Sequence, residues 1–181
     1  GDYQAENANT VLVALNILKR LKYRIKLDAV TRGFANVIED TGLLGRWMKL
    51  DSKPLTICDS AHNPPGMAEA MKQLRRQKYD NLHMVLGFMA DKDVTTMLDM
   101  MPKLATYYFT QASNERTMKS KDLKHIANKH GLDGNAYNNV EEALQAARDK
   151  AGENDFIYVG GSMYVLAELL KSLGYDDMTD K

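Results

Sequence analysis

The sequence predicts an α/β fold: a mostly parallel, Rossmann-like sheet with helices on both faces, an antiparallel hairpin at its start, and a helical segment ahead of it. Three observations lead there. Short apolar runs rich in β-formers recur at residues 55–59, 82–88, 105–110 and 156–159. Between them lie stretches with apolar residues at helical spacing. Repeated strand-helix units return each strand parallel to the last, because right-handed crossovers pack back onto one sheet.

The elements follow in order. Residues 6–20 carry Ala8, Val11, Leu12, Leu15 and Leu18 at helical spacing, and a second helix is expected over 27–37. Glu39-Asp40-Thr41-Gly42-Leu43-Leu44-Gly45 has no period and reads as a linker. Residues 46–50 and 55–59 read as two strands joined by the turn Asp51-Ser52-Lys53-Pro54. Pro64-Pro65-Gly66 opens a helix. Helices are expected over 94–101, 120–129, 140–150 and 163–172, and a weak strand over 134–137. Gly131 and Gly174 stand just past two helix ends. The domain division expected is 1–40, a linker at 41–45, and an α/β domain at 46–181.

The totals exclude several classes. A chain of 181 residues buries a real core. Lys and Arg number 24 against 24 Asp and Glu, so no global field favours nucleic acid or an anionic membrane. No apolar run approaches the roughly 18–20 residues that span a bilayer. No secretory signal is visible, and Gly1 is not expected to be a native start. The single Cys58 lies in an expected buried strand, which fits a reducing cytoplasm. Eleven Met residues read as core gap-fillers.

The chemistry gathers at strand ends. Asp59-Ser60-Ala61-His62-Asn63-Pro64 puts an acid, an imidazole and a carboxamide directly after a buried strand, where open α/β sheets bind ligands. The ordinary reading is that Asp59 or Asn63 caps the next helix and His62 is incidental. Gly160-Gly161-Ser162 follows another strand. The glycines permit close approach of backbone to a ligand, and Ser162 at a helix start makes a small anion site suited to a carboxylate. An ordinary Ser cap is the competing reading. Both segments should lie on the same sheet edge.

Arg46 ends the linker, where an arginine either pairs at the surface or swings onto phosphates. Asp91-Lys92-Asp93 and Asn114-Glu115-Arg116 stand at further strand ends. His83, His125 and His130 have no metal-ligand spacing, and no metal ligands are assigned. Neither G-x-x-x-x-G-K-[ST] nor G-x-G-x-x-G occurs, so these residues carry no phosphate loop of their own.

Taken together, these segments resemble the C-terminal part of folylpolyglutamate synthase and the related dihydrofolate synthase, in the Mur ligase superfamily. Gly1-Asp2-Tyr3-Gln4-Ala5-Glu6-Asn7-Ala8 is similar to the end of the family's central ATPase domain. Leu44-Gly45-Arg46 resembles its linker Pro-Gly-Arg, and Asp59-Ser60-Ala61-His62-Asn63-Pro64 its Asp-Gly-Ala-His-Asn-Pro. The segment from Gly87 to Val94 is similar to Gly-x-x-x-Asp-Lys-Asp, and Gly161-Ser162-Met163-Tyr164 to Gly-Ser-Leu-Tyr. Tyr3, Leu44 and Ser60 depart from the family's usual His, Pro and Gly.

The resemblance implies that residues 1–40 are the helical end of the ATPase domain and that the rest is the glutamate-ligase domain. It implies an ATP-dependent ligase that phosphorylates a folate or dihydropteroate carboxylate and joins L-glutamate to the acyl phosphate. Asn7 would contact adenine, Asp59 the ribose and Arg46 the phosphates, with His62 and Ser162 on the incoming glutamate. His62 and Arg46 would be the catalytic pair. ATP and Mg²⁺ would be held mainly by a P-loop domain outside these residues, leaving the fragment inert alone. A monomer acting on small molecules, with no nucleic acid or membrane partner, is expected. A Mur-type peptidoglycan-precursor ligase and a non-catalytic small-ligand-binding module are the alternatives.

Overall fold

The computed structural model describes Gly1 and residues 3–175. Two compact units divide at Leu44 and Gly45. The first holds three helices: α1 (Gln4–Arg20), α2 (Leu27–Ala35) and α3 (Val37–Thr41). None of them buries a residue. Val13, Ile17, Leu21 and Leu27 are 60, 52, 64 and 75% exposed. The helix expected over 27–37 breaks at Asn36 and resumes, so part of the expected linker is helical. It ends at Gly42, whose φ of 63° reaches a left-handed C-cap that Cβ-bearing residues adopt at a cost.

The second unit is a six-stranded sheet of order β1-β2-β6-β3-β4-β5. Its strands are β1 (Met48–Ser52), β2 (Leu55–Cys58), β3 (Leu82–Leu86), β4 (Thr106–Phe109), β5 (Gly134–Ala136) and β6 (Phe156–Gly160). The β1–β2 hairpin is antiparallel and every other pair parallel, as the sequence predicts. The first strand starts at Met48 rather than Arg46. The physical reason is that Gly45 and Trp47 have φ of 72° and 54°, which no extended strand accommodates.

Among the described residues five helices cover the sheet: α4 (Pro64–Leu74), α5 (Val94–Asp99), α6 (Ser120–Lys129), α7 (Val140–Lys150) and α8 (Met163–Ser172). Strand side chains alternate between faces. On one face Ile57, Met84, Tyr107 and Tyr158 pack with Met67, Met71, Met97 and Leu123, which belong to α4, α5 and α6. On the other, Cys58, Val85, Tyr108 and Val159 pack with Val140, Leu144, Val165 and Leu169 of α7 and α8. The methionines read as gap-fillers do fill the core; Met67, Met71, Met84 and Met97 are all 0% exposed.

This winding positions the site. The chain leaves β2 and β3 toward the first face, through α4 and α5. It leaves β6, which lies between them, toward the second face through α8. Loops that part to opposite faces open a crevice at the carboxyl ends of adjacent strands, the usual ligand position in such sheets.

Candidate functional site

Asp59 extends the β2 ladder by one bond, its N–H donating to Val159 O at 3.0 Å. Its carboxylate does not cap α4. Oδ1 accepts the Ala61 N–H at 2.9 Å and Oδ2 the Trp47 N–H at 2.7 Å. The residue is 1% exposed. Asn63 is the cap: its Oδ1 accepts from Gly66 N at 2.9 Å, and Pro64 and Pro65 fill the first turn, where an N–H is not needed.

His62 is half-buried beside this turn, with Nδ1 2.9 Å from Ser60 O. A carbonyl only accepts, so Nδ1 carries the proton and Nε2 of the neutral ring is an acceptor. Ser60 N donates to Gly45 O at 2.9 Å, tying the loop to the chain entering the domain. Ser60 Oγ is buried and has no hydrogen-bond partner among the described residues.

Beside them, β6 ends in Gly160-Gly161-Ser162. A Cβ on Gly161, where φ is 96°, would stand 2.7 Å from Gly87 O; one on Gly160 would stand 2.9 Å from Asp59 O. Contact between neighbouring strand ends therefore demands these glycines, a reason the sequence reading, which looked only to a ligand, did not contain. Ser162 Oγ accepts from Tyr164 N at 3.1 Å, so Ser162 is the N-cap of α8, and it is 1% exposed. The hydroxyl hydrogen remains as a donor.

Arg46 is exposed and sits between two fixed neighbours. A Cβ on Gly45 would fall 2.0 Å from Leu166 Cδ2. The Trp47 ring lies 6.4 Å from that of Phe156 and 6.1 Å from that of Tyr158. Arg46, Asp59, His62 and Ser162 thus all belong to segments at the carboxyl edge of the sheet. Asn7 lies in α1 of the other unit, where its Nδ2 donates to Gln4 Oε1 at 2.9 Å.

Sequence reasoning missed how the loops after β3 and β4 join. Ala90 N donates to Arg116 O at 2.9 Å and Met118 N to Phe88 O at 3.0 Å. Arg116 also reaches Asp91 at 3.3 Å. Asp93 caps α5 through Thr96 N at 3.1 Å; bonds from Thr96 hold its carboxyl below the usual range. Among the described residues no group of three or more His, Cys, Asp or Glu could hold a metal ion. No helix among them is long and apolar enough to cross a membrane. A polar cleft of about 450 Å³ lined by Lys78, Asp80 and Glu153 lies at the opposite end of the strands, away from the predicted site residues.

A mostly parallel sheet covered on both faces, with polar loops at the carboxyl ends of adjacent strands, defines a Rossmann-like α/β domain. The chain belongs to the Mur ligase family, glutamate ligase domain, whose family model matches residues 45–163. It is 32% identical over 171 residues to a probable bifunctional folylpolyglutamate synthase/dihydropteroate synthase of Haloferax volcanii, covering 93% of this chain and 19% of that protein. It is 27% identical over 170 residues to the dihydrofolate synthase/folylpolyglutamate synthase of Escherichia coli, covering 91% of this chain and 37% of that one. The structure of E. coli FolC in complex with DHPP and ADP superposes with a TM-score of 0.78 at 25% identity, over 92% of this chain and 38% of FolC. The chain therefore spans a fifth to two-fifths of the length of these relatives, and it matches them as a C-terminal domain.

Proposed function

We propose that this domain presents L-glutamate to an acyl phosphate in an ATP-dependent ligase that extends folate or dihydropteroate. The observation that carries the reading is the pairing of two loops, Asp59 to Asn63 and Gly160 to Ser162, on adjacent parallel strands at the switch point. In this reading the glutamate lies at that edge, between the segment of His62 and the amino terminus of α8. A helix start favours a carboxylate through its unpaired N–H groups and dipole. Glutamate supplies that carboxylate and an amine that must lose a proton to attack. The Nε2 acceptor of His62 suits contact with the amine. FolC, the E. coli relative, is described with DHPP and ADP, which supports a folate-type acceptor and a nucleotide.

The reaction we infer transfers the γ-phosphoryl group of ATP to the acceptor's carboxylate. The glutamate amine then attacks the carbonyl carbon, and the C–O bond to phosphate breaks as the amide forms. In this account Arg46 contacts the phosphates, and Asn7 contacts adenine. The ribose role that the resemblance gives Asp59 is compatible with its two main-chain hydrogen bonds, because each carboxylate oxygen can accept more than one. Mg²⁺ and the phosphate cradle are assigned to residues outside these 181, and residues 1–40 to the end of that ATPase domain. The exposed apolar side chains of α1 and α2 support this, since solvated Val, Ile and Leu in such number mark a surface made for contact. The remaining work is positioning and charge stabilisation.

Kinetics of the full-length ligase test the reading. His62→Ala and Ser162→Ala should raise KM for glutamate about tenfold or more while KM for ATP changes little. Unchanged glutamate kinetics in both variants would reject the assignment. Purified residues 1–181, given ATP, glutamate and a folate, should form no amide.

A further inference from the structure

We propose that the exposed face of α6 holds the glutamyl tail of the acceptor, so that the domain grips the chain it helps to lengthen. Underlying this is the reading of the protein as a ligase that adds glutamate to a folate-type acceptor. Each glutamate joined through its side-chain carboxyl leaves one α-carboxylate behind. A tail of several such residues is a flexible polyanion.

Charge singles out this helix. Residues 116–130 carry Arg116, Lys119, Lys121, Lys124 and Lys129 against the single acid Asp122, in a chain whose net charge is zero. Lys53, Lys72, Lys92 and Arg116 each reach an acid. Lys119, Lys121 and Lys129 have no ion pair among the described residues. Beyond the last turn, Asp99 is engaged by His130 Nδ1 at 2.7 Å, and Lys103 Nζ donates to His130 O at 2.7 Å, adding a further cation. Lys119 is the N-cap yet makes no side-chain capping bond, and Lys121 stands in the first turn. The helix dipole disfavours cations at that end and favours anions. Folding therefore gains nothing from lysines at these two positions, whereas a bound anion would gain from both the lysines and the dipole.

Spacing and position fit a tail. Ser120, Leu123 and Ala127 are the buried residues of α6. Lys121, His125 and Lys129 fall on the opposite side at i, i+4 and i+8 and are exposed. Lys124 flanks that ridge, its Nζ 3.4 Å from Asn135 Oδ1. A rise of 1.5 Å per residue sets successive ridge positions about 6 Å apart. A γ-linked glutamyl unit adds five main-chain bonds where an α-linked residue adds three, so its extended repeat is also about 6 Å. One α-carboxylate is thus available for each step of the ridge, and His125 offers a ring N–H in either charge state. The first turn of α6 follows β4 and stands at the carboxyl edge, the edge of His62 and Ser162. Strand β4 lies two places from β6, about 10 Å, which two or so γ-glutamyl units span. From there the helix leads the tail back along the sheet, away from the reacting end.

The test compares a monoglutamyl folate with its tetra-γ-glutamyl form as acceptors for the full-length ligase. Lys121→Gln, Lys124→Gln and Lys129→Gln are combined in one variant. Glutamine matches lysine in helix propensity, so circular dichroism and Tm should stay native. The ratio of the tetraglutamyl KM to the monoglutamyl KM should rise about 3- to 10-fold, the scale of a few exposed charge contacts. Added salt should raise that ratio in wild type and move it little in the variant. An unchanged ratio in the variant, or a wild-type enzyme that takes only the monoglutamyl acceptor, would overturn the tail surface. Failure of wild type to ligate glutamate to either acceptor would instead sink the ligase reading itself. Binding is read separately on the 181-residue chain by anisotropy of fluorescein-labelled penta-γ-glutamate. The triple variant should bind it about fivefold or more weakly than wild type. Equal binding by the two proteins, or no binding by wild type, would overturn the proposal. So would a single-stranded oligonucleotide of the same charge that binds wild type as tightly, since α6 would then be a surface for any polyanion.

Discussion

His83 Nε2 stands 3.2 Å from Asp155 Oδ2 inside the sheet, with the two side chains 3 and 5% exposed. The same ring reaches Tyr108 Oη through Nδ1 at 3.0 Å. Asp155 Oδ1 also accepts from Asn81 N and Nδ2, and Oδ2 from Gly152 N. The carboxylate thereby ties together the turn before β6 and the turn before β3.

That network predicts an acid-sensitive stability term. Burial alone would raise the Asp155 carboxyl, but bonds from Gly152, His83 and Asn81 outweigh it and hold it below the usual range. A lowered carboxyl stabilises the fold above its unfolded value of about 4, and that stability is lost as pH falls through the folded value. Asp155→Asn should cost about 1–3 kcal/mol at pH 7 in urea melts. At pH 3 the gap to wild type should shrink. A gap independent of pH would contradict the account.

Ser60→Ala is expected to stabilise. Its hydroxyl is buried without a partner among the described residues, so removal relieves a desolvation penalty of about 1 kcal/mol. Calorimetry should show Tm higher by about 2–4 °C. A lower Tm would mean that the hydroxyl has a partner in solution.

Gly161→Ala should destabilise by about 1–3 kcal/mol, since φ is 96° and the new methyl would press on Gly87 O. Thermal melts of this variant against wild type decide it, and an unchanged Tm would show that the strand end adapts.

Ser162 has two roles that one substitution separates. Ser162→Ala loses the α8 cap and should cost about 1 kcal/mol. Ser162→Asp keeps an acceptor for Tyr164 N but places a charge where the residue is 1% exposed, so stability should fall below wild type despite the retained cap. Its negative charge would repel a carboxylate, so KM for glutamate in the full-length ligase should rise more than with Ala. An equal KM in both variants would leave Ser162 a cap alone.

Cys58 should be inert in the native chain. The side chain is fully buried, and burial together with the Asp59 charge pushes its thiol up to about 12. Ellman's reagent at pH 8 should find no thiol in buffer and one per chain in urea. Rapid labelling of folded protein would show that the β2 end opens readily.

The helix expected over residues 163–172 matches the structure, and the strands expected at 55–59 and 156–159 each lie within one residue of it. Each rests on an apolar period interrupted by a glycine, proline or capping side chain, and such signals are local. Misjudged boundaries fall where backbone conformation depends on distant contacts. Trp47 leaves the extended region because Asp59, 12 residues on, holds its amide. The loops after β3 and β4 join across some 28 residues, a pairing no local pattern encodes.

By itself the sequence determined the strand-helix alternation, and with it the one sheet edge to which Asp59, His62 and Ser162 had to come. Parallel strands put all their carboxyl ends together whatever their order. Tertiary structure alone decided what those residues touch. Strand order set β6 beside β2, which turned Gly160 and Gly161 into packing requirements. The hairpin brought Trp47 back to Asp59, which gave that carboxylate a main-chain amide to accept from. Side-chain partners depend on distances that close only when the whole sheet has assembled, and a period read along the chain does not contain them.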